Sequence, residues 1–248
     1  MKTSDLLASL TELLQPQAFK DYAPNGLQIE GKPDVQHILT AVTASQAAIN
    51  AAVALGADVL LVHHGYFWKS EASPITGIKY QRIKTLIQHD INLIAYHLPL
   101  DGHAVLGNNA QLAQQLGWLA TPPDSAQNLL WQGQLPKAQT AQALADDLGQ
   151  ILQRPPLMLG NPHKIIKTLA WCTGGAQSYF EAAAALGVDA FITGEVSEQH
   201  FHLAQEMDCV FMAAGHHATE KYGVQALGAW LRDTHGLTVS FFDEANPV

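Results

Sequence analysis

Cysteine is almost missing from this chain: there are two, Cys172 and Cys209, and no Cys-x-x-Cys. Both lie in apolar runs. That points to buried thiols in a reducing compartment rather than a disulfide framework, with a single Cys172–Cys209 bridge as the alternative. Basic residues are scarce as well. Thirteen Lys and Arg against 22 Asp and Glu give a net charge of −9. That sign disfavours broad contact with nucleic acid, where phosphate neutralisation supplies most of the affinity. A local pocket for a single nucleotide stays open. No run approaches the roughly 20 apolar residues of a membrane span. The start, Met1-Lys-Thr-Ser-Asp-Leu-Leu, lacks the apolar core and cleavage site of a signal peptide. A cytoplasmic protein without a membrane partner is expected. Also missing are Gly-x-Ser-x-Gly, the Gly-x4-Gly-Lys-Ser/Thr phosphate loop and Gly-x-Gly-x-x-Gly, so the common nucleophile and phosphate-loop templates fit poorly.

What remains is a chain of 248 residues, 48% hydrophobic and 14% charged, with twelve histidines. That length accommodates one large domain or two moderate ones. Helix Leu6–Leu14, capped by Ser4 or Asp5, is followed by the turn-rich loop Asp21–Gln28, strand His37–Val42, helix Ser45–Leu55 and strand Asp58–Val62. Helix Ile78–His89, strand Ile91–Tyr96 and helix Asn109–Leu116 come next. Thr121-Pro-Pro-Asp124 marks a boundary.

The pattern then returns with strand Ile165–Cys172, helix Ala176–Leu186, strand Asp189–Thr193, helix His200–Glu206, strand Cys209–Ala214, helix Gly223–His235 and closing strand Thr238–Phe242. Ala51-Ala-Val-Ala-Leu-Gly-Ala-Asp58 aligns with Ala182-Ala-Ala-Ala-Leu-Gly-Val-Asp189. Such βαβ alternation, given twice, predicts an α/β protein of two similar, duplicated lobes with largely parallel sheets. The expected division is 1–125 and 126–248. The second part holds a short non-repeated segment, 126–160, and the C-terminal strand is able to pack back on the first lobe.

Ligands of open α/β sheets bind beyond the carboxyl ends of strands. Four motifs fall there: His63-His64-Gly65, His97-x3-Asp101, Gly194-Glu195 and His216-His217-x2-Glu220. Histidine with carboxylate suits Zn, Fe, Mn or Co without selecting one. The candidate ligands are His63, His64, Asp101, His216 and Glu220, for two divalent ions with Asp101 or Glu220 as the bridge. The dinuclear site is expected between the lobes. His217 competes with His216, but the repeat alignment favours His216. His97 and Glu195 are the candidates for chemistry, with His97 readable as a further ligand or as an orienting group or base. His103, Glu198, His200 and His202 are further candidates for lining the cavity, though each alone reads first as a surface or packing residue. His37, His89, His163 and His235 receive no role. Tyr66, Phe67 and Trp68 are readable as a stacking surface, a pocket wall or an interface. The amides of Thr173-Gly174-Gly175 offer an anion site or a simple helix start.

Taken together, Asp21-Tyr-Ala-Pro-Asn-Gly-Leu-Gln28, Val62-His-His-Gly65, His97-Leu-Pro-Leu-Asp101, Gly194-Glu195 and Gly215-His-His-Ala-Thr-Glu220 resemble the Nif-three-like family. These are the GTP cyclohydrolase type-two homologues, and the likeness is to the short bacterial YbgI type over nearly the whole chain. The resemblance implies two α/β lobes around a dinuclear metal centre and a ring-shaped homohexamer. It also implies hydrolysis of GTP at its imidazole carbon with release of formate, and His97 as a proton shuttle. Phosphoester cleavage is the alternative reaction, and metal storage, delivery or scaffolding the non-enzymatic one.

Overall fold

The computed structural model describes residues 1–125 and 128–248. In chain order the elements are α1 (Thr3–Leu14), β1 (Gly26–Ile29), β2 (His37–Thr43), α2 (Gln46–Leu55), β3 (Val59–His64), α3 (Gly77–Gln88), β4 (Asn92–Ala95), α4 (Leu98–Gly102), α5 (Asn108–Leu116), β5 (Leu119–Thr121), β6 (Trp131–Thr140), α6 (Ala141–Leu152), β7 (Leu157–Leu159), β8 (Ile165–Trp171), α7 (Phe180–Ala185), β9 (Ala190–Thr193), α8 (Gln199–Glu206), β10 (Val210–Ala213), α9 (His216–His235) and β11 (Thr238–Phe242). They form two compact units, residues 1–106 with 223–245, and residues 107–222 with 246–248. The expected division after residue 125 falls on Ala126 and Gln127, outside the described residues.

The first unit holds a five-stranded sheet in the order β1-β4-β3-β2-β11, parallel throughout except for β1 against β4. Its central strands β2, β3 and β4 are buried on both faces and read as near-continuous apolar runs, as parallel strands do. Successive side chains alternate between two cores. Leu60, Val62 and Leu93 pack on the α2 and α3 side with Ile49 and Leu86. Val59, Leu61 and Ile94 pack with Leu6 and Leu10 of α1 and with Leu227 and Leu231 of α9.

The second unit holds a six-stranded sheet, β5-β6-β8-β9-β10-β7. Only its centre, β8-β9-β10, is parallel; β5, β6 and β7 add antiparallel edges. That centre repeats β2-β3-β4 of the first sheet, and it too alternates. Ala190, Ile192 and Met212 face one core, and Phe191 and Phe211 the other.

The repeated Leu-Gly-x-Asp segments have the same local job. Gly56 and Gly187 close the helices at φ +62° and +74°, where a side chain would be strained. Each following Asp stands immediately before the next strand, Asp58 before β3 and Asp189 before β9.

Several boundaries differ from the expectations. Neither Ser4 nor Asp5 caps α1. The helix starts at Thr3 because Lys2 is already held in a strand-like bridge to Asp34. The loop Asp21–Gln28 contains the start of β1, whose Gly26 pairs with Ala95. The expected helix Ala176–Leu186 splits into a 3-10 turn, Gln177–Tyr179, and the six-residue α7. The last helix begins at His216 rather than Gly223, so the His216–Glu220 motif is its first turn. Cys172 and Cys209 are buried and not joined in a disulfide, and burial pushes the Cys209 thiol up to about 11.

Candidate metal-binding residues

In the first unit the parallel register brings three imidazoles together. β3 ends with His63 and His64, and Thr43 at the end of β2 stands opposite His64. His97 follows β4 by two residues. One ligand atom from each of His63, His64 and His97 lies within 4.8 Å of the others. Every one of these rings is held at Nδ1. His63 is fully buried and its Nδ1 is 3.0 Å from the Tyr96 carbonyl oxygen. Nδ1 of His64 is 3.2 Å from Thr43 Oγ1. Nδ1 of His97 is 2.8 Å from Asp21 Oδ1. A second ring nitrogen held by a carbonyl, hydroxyl or carboxylate is the usual way a metal-binding imidazole is fixed in tautomer and direction. Asp101, in the short helix α4, brings Oδ1 to 3.5 Å from His63 Nε2. Two ligands about 2.0–2.2 Å from one ion stand roughly that far apart. The donor set therefore fits a divalent ion.

The loop before β1 builds the support for His97. Asp21 Oδ1 accepts from Nδ1 of His97 and from the Tyr22 and Ala23 amides, and its Oδ2 accepts from the Leu98 amide and from Asn25 Nδ2. Burial pushes the Asp21 carboxyl up, but the bonds from His97, Asn25 and Leu98 outweigh it and hold it well below the usual carboxylate range. An ionised carboxylate only accepts, so the proton of His97 sits on Nδ1 and Nε2 is left as the basic nitrogen. Asn25 Oδ1 accepts from the His97 amide at 2.7 Å. Gln28 Oε1 accepts from the Tyr66 amide at 2.7 Å and steadies the turn after His64. Sequence reasoning gave Asp21, Asn25 and Gln28 no role beyond the turn and the family likeness. Their one signal was three hydrogen-bonding side chains within eight residues.

In the second unit the strand ends supply a different set. His216 Nδ1 is 2.6 Å from Glu195 Oε1, and its Nε2 is 3.1 Å from Glu220 Oε2, one helical turn on. Burial alone would lower the His216 pKa, but Glu220 and then Glu195 raise it to about 9. The pair of carboxylates thus favours positive charge at this imidazole. Glycines make room for it. A Cβ on Gly174 would collide with Glu220 Oε1, and one on Gly194 would come within 2.6 Å of the His216 Cα.

The remaining candidates lie in other environments. His200 is buried, stacks on Phe211 at 4.9 Å and has both ring nitrogens within 3.0 Å of backbone carbonyls, Ser197 and Gln177. His202 is exposed and pairs with Glu198. His103 Nδ1 accepts from the Val105 and Leu106 amides, and burial lowers its pKa. His217 is buried, and its amide donates to the Val248 carbonyl. Tyr66 is buried with its hydroxyl on the Ala44 carbonyl, whereas Phe67 is exposed and Trp68 is half-buried. The described residues contain no helix long and apolar enough to cross a membrane.

Residues 1–247 match the model of the family described as Duf34/NIF3 (NGG1p interacting factor 3). A protein of Neisseria meningitidis serogroup B, named GTP cyclohydrolase 1 type 2 homolog, is 53% identical over 98% of both chains. The protein of the same name from Vibrio cholerae is 52% identical over the full length of both. Among solved structures, the protein ybgI, described as of unknown function, superposes over both whole chains with a TM-score of 0.95 and 50% identity. TTHA1606 of Thermus thermophilus does so with a TM-score of 0.90 and 35% identity. The chain belongs to the Duf34/NIF3 family.

Proposed function

We propose that this protein is a metal-dependent hydrolase that holds two divalent ions through His63, His64, Asp101, His216 and Glu220 and acts on a nucleotide or a related heterocycle. The observation that carries this reading is the trio His63, His64 and His97, whose ligand atoms gather within 4.8 Å while each Nδ1 is engaged elsewhere. The name shared by the relatives, GTP cyclohydrolase 1 type 2 homolog, supports a heterocycle as the substrate.

Bound ions of this kind supply Lewis acidity and an acidified water at neutral pH. The chain's own residues supply direction and proton transfer. Asp21 keeps the His97 proton on Nδ1, so His97 Nε2 accepts a proton from the attacking water and returns it to the leaving nitrogen or oxygen. Glu195 accepts from His216 Nδ1 and turns Nε2 towards the ligand position beside Glu220, which makes it a positioning residue. Asp101 and Glu220 carry the negative charge that two cations need. A ring-shaped homohexamer is the assembly that accompanies this reading.

Elemental analysis of freshly purified protein tests the ligand set: about two ions per chain are expected, and His63→Ala with His64→Ala should remove them without unfolding the chain. A screen of metal-loaded protein against GTP, other nucleotides and phosphoesters tests the reaction. Retention of two ions by the double variant sinks the ligand set. No turnover across the screen sinks the hydrolase reading in favour of metal binding alone. Light scattering tests the hexamer.

A further inference from the structure

We propose that Tyr22 and Trp68 form a stacking shelf for a planar heteroaromatic ring, a nucleobase or a ring of like shape, beside His97. This deepens the hydrolase reading, on which it rests for its place in catalysis, by naming the part of the substrate held and the residues that hold it.

The two rings come from different loops and meet with centroids 5.7 Å apart and planes 38° from one another. The His97 ring stands nearly perpendicular to both, 4.9 Å from each, at 75° to Tyr22 and 83° to Trp68. His64 adjoins Trp68 at 5.9 Å. The result is an aromatic corner on the edge of the histidine cluster. Tyr22 keeps 52% of its surface exposed there, although a polar side chain would serve a solvent loop equally well. The indole Nε1 already donates to the Gly65 carbonyl at 3.2 Å, so Trp68 offers a ligand its face rather than a polar handle.

The shelf is also fixed in advance. The Lys69 amide donates to the Tyr22 carbonyl at 2.9 Å, and Lys69 Nζ to the Asp21 carbonyl at 2.8 Å, which ties the two loops together. Phe67 sits at φ +65°, a left-handed conformation that strains a bulky residue. Glu71 stabilises it: its Oε2 accepts from the Phe67 amide at 2.7 Å and its own amide donates to the Trp68 carbonyl at 2.8 Å. Lys79 closes this arrangement, 3.3 Å from Glu71 Oε2 and 4.8 Å over the Phe67 ring. Local strain held by surrounding bonds, next to a cluster of candidate ligands, marks a preorganised contact surface. Stacking suits such a surface because every base presents a π-face.

The experiment measures guanosine binding by calorimetry and by saturation-transfer NMR, with ribose 5-phosphate as the non-aromatic control. It uses both metal-loaded and metal-free protein. Guanosine should bind and ribose 5-phosphate bind at least tenfold more weakly. Trp68→Leu and Tyr22→Leu should each weaken guanosine by about tenfold, with Trp68→Phe restoring it to within about threefold and the metal content unchanged. Tyr22 is half exposed, so Tyr22→Leu carries the test if Trp68→Leu does not fold. Unchanged guanosine affinity in the Leu variants overturns the shelf, and so does wild-type protein that does not distinguish guanosine from the control. Guanosine binding that depends on both rings in a protein that retains no ions leaves the shelf standing and removes the hydrolase reading. Retained ions with no guanosine binding do the reverse.

Discussion

Asp58 and Asp189 do the same work in the two units. Oδ2 of Asp58 accepts from the Gln36 and His37 amides at 2.9 and 3.0 Å, and Oδ2 of Asp189 accepts from the Lys167 and Thr168 amides at 2.9 and 2.8 Å. Each carboxylate, placed just after a helix-ending glycine, ties the start of one parallel strand to the start of its neighbour. Burial pushes both carboxyls up. In Asp58 the Lys32 ammonium and the two amides outweigh that, and in Asp189 the amides, the Thr168 hydroxyl and Lys164 do, so both pKa values are lowered.

A carboxylate with a lowered folded-state pKa contributes stability above its unfolded value, near 4, and that contribution is lost as pH falls through the folded value. Asp58→Ala and Asp189→Ala should therefore each cost about 1.5–3 kcal/mol at pH 7. The gap to wild type should narrow steadily below about pH 4. Urea unfolding at a series of pH values checks this. A gap that stays constant down to pH 2 would show that the carboxylate charge contributes nothing.

The duplication was legible because its markers have local causes. Leu55-Gly-Ala-Asp58 and Leu186-Gly-Val-Asp189 encode a helix stop and a strand start within four residues. His63, His64 and His216 could be picked out because apolar runs end there and ligand residues follow. Asp21 was not legible in the same way. It acts on His97, 76 positions away, and no periodicity connects residues that meet only through the β1–β4 pairing. β1 itself is four residues long and hidden among Pro24, Asn25 and Gly26, which read as turn. The antiparallel strand β6 was missed because its outer half, Gln134 to Thr140, alternates weakly and carries Pro136.

Glu195 lies 2.6 Å from His216 Nδ1, and its removal should free the ring to rotate. Loss of such an orienting carboxylate typically costs 10–100-fold in metal affinity. Glu195→Ala should show that loss in competition with a chromogenic chelator, with Glu195→Gln recovering part of it. Wild-type affinity in Glu195→Ala would end its role as the residue that positions His216.

Metal loading should stabilise the fold. A ligand that binds only the native state adds about 4 kcal/mol at a thousandfold excess over its Kd. Zinc, manganese and cobalt, tried separately on chelator-treated protein, should include at least one that raises Tm by several degrees. His63→Ala with His64→Ala should lose most of that rise. An equal rise in the double variant would place the binding elsewhere.

Gly194 and Gly56 separate close approach from backbone freedom, and Gly174, at φ +71°, combines the two. A Cβ on Gly174 would collide with Glu220 Oε1 and lie 3.1 Å from His216 Nε2, so Gly174→Ala should displace two candidate ligands and lower metal retention. A Cβ on Gly194 would meet backbone on both sides, 2.6 Å from the Gly174 carbonyl oxygen and 2.6 Å from the His216 Cα. Neither neighbour is a flexible side chain, so Gly194→Ala should cost about 1–3 kcal/mol of stability through overpacking. Gly56 is the control. A Cβ there meets nothing within 4 Å, but φ is +62°. Gly56→Ala should cost about 1–2 kcal/mol of strain and leave metal retention untouched. Thermal melts paired with elemental analysis distinguish the three. Equal metal retention in Gly174→Ala and Gly56→Ala would mean that the space beside Glu220 does not matter to the site.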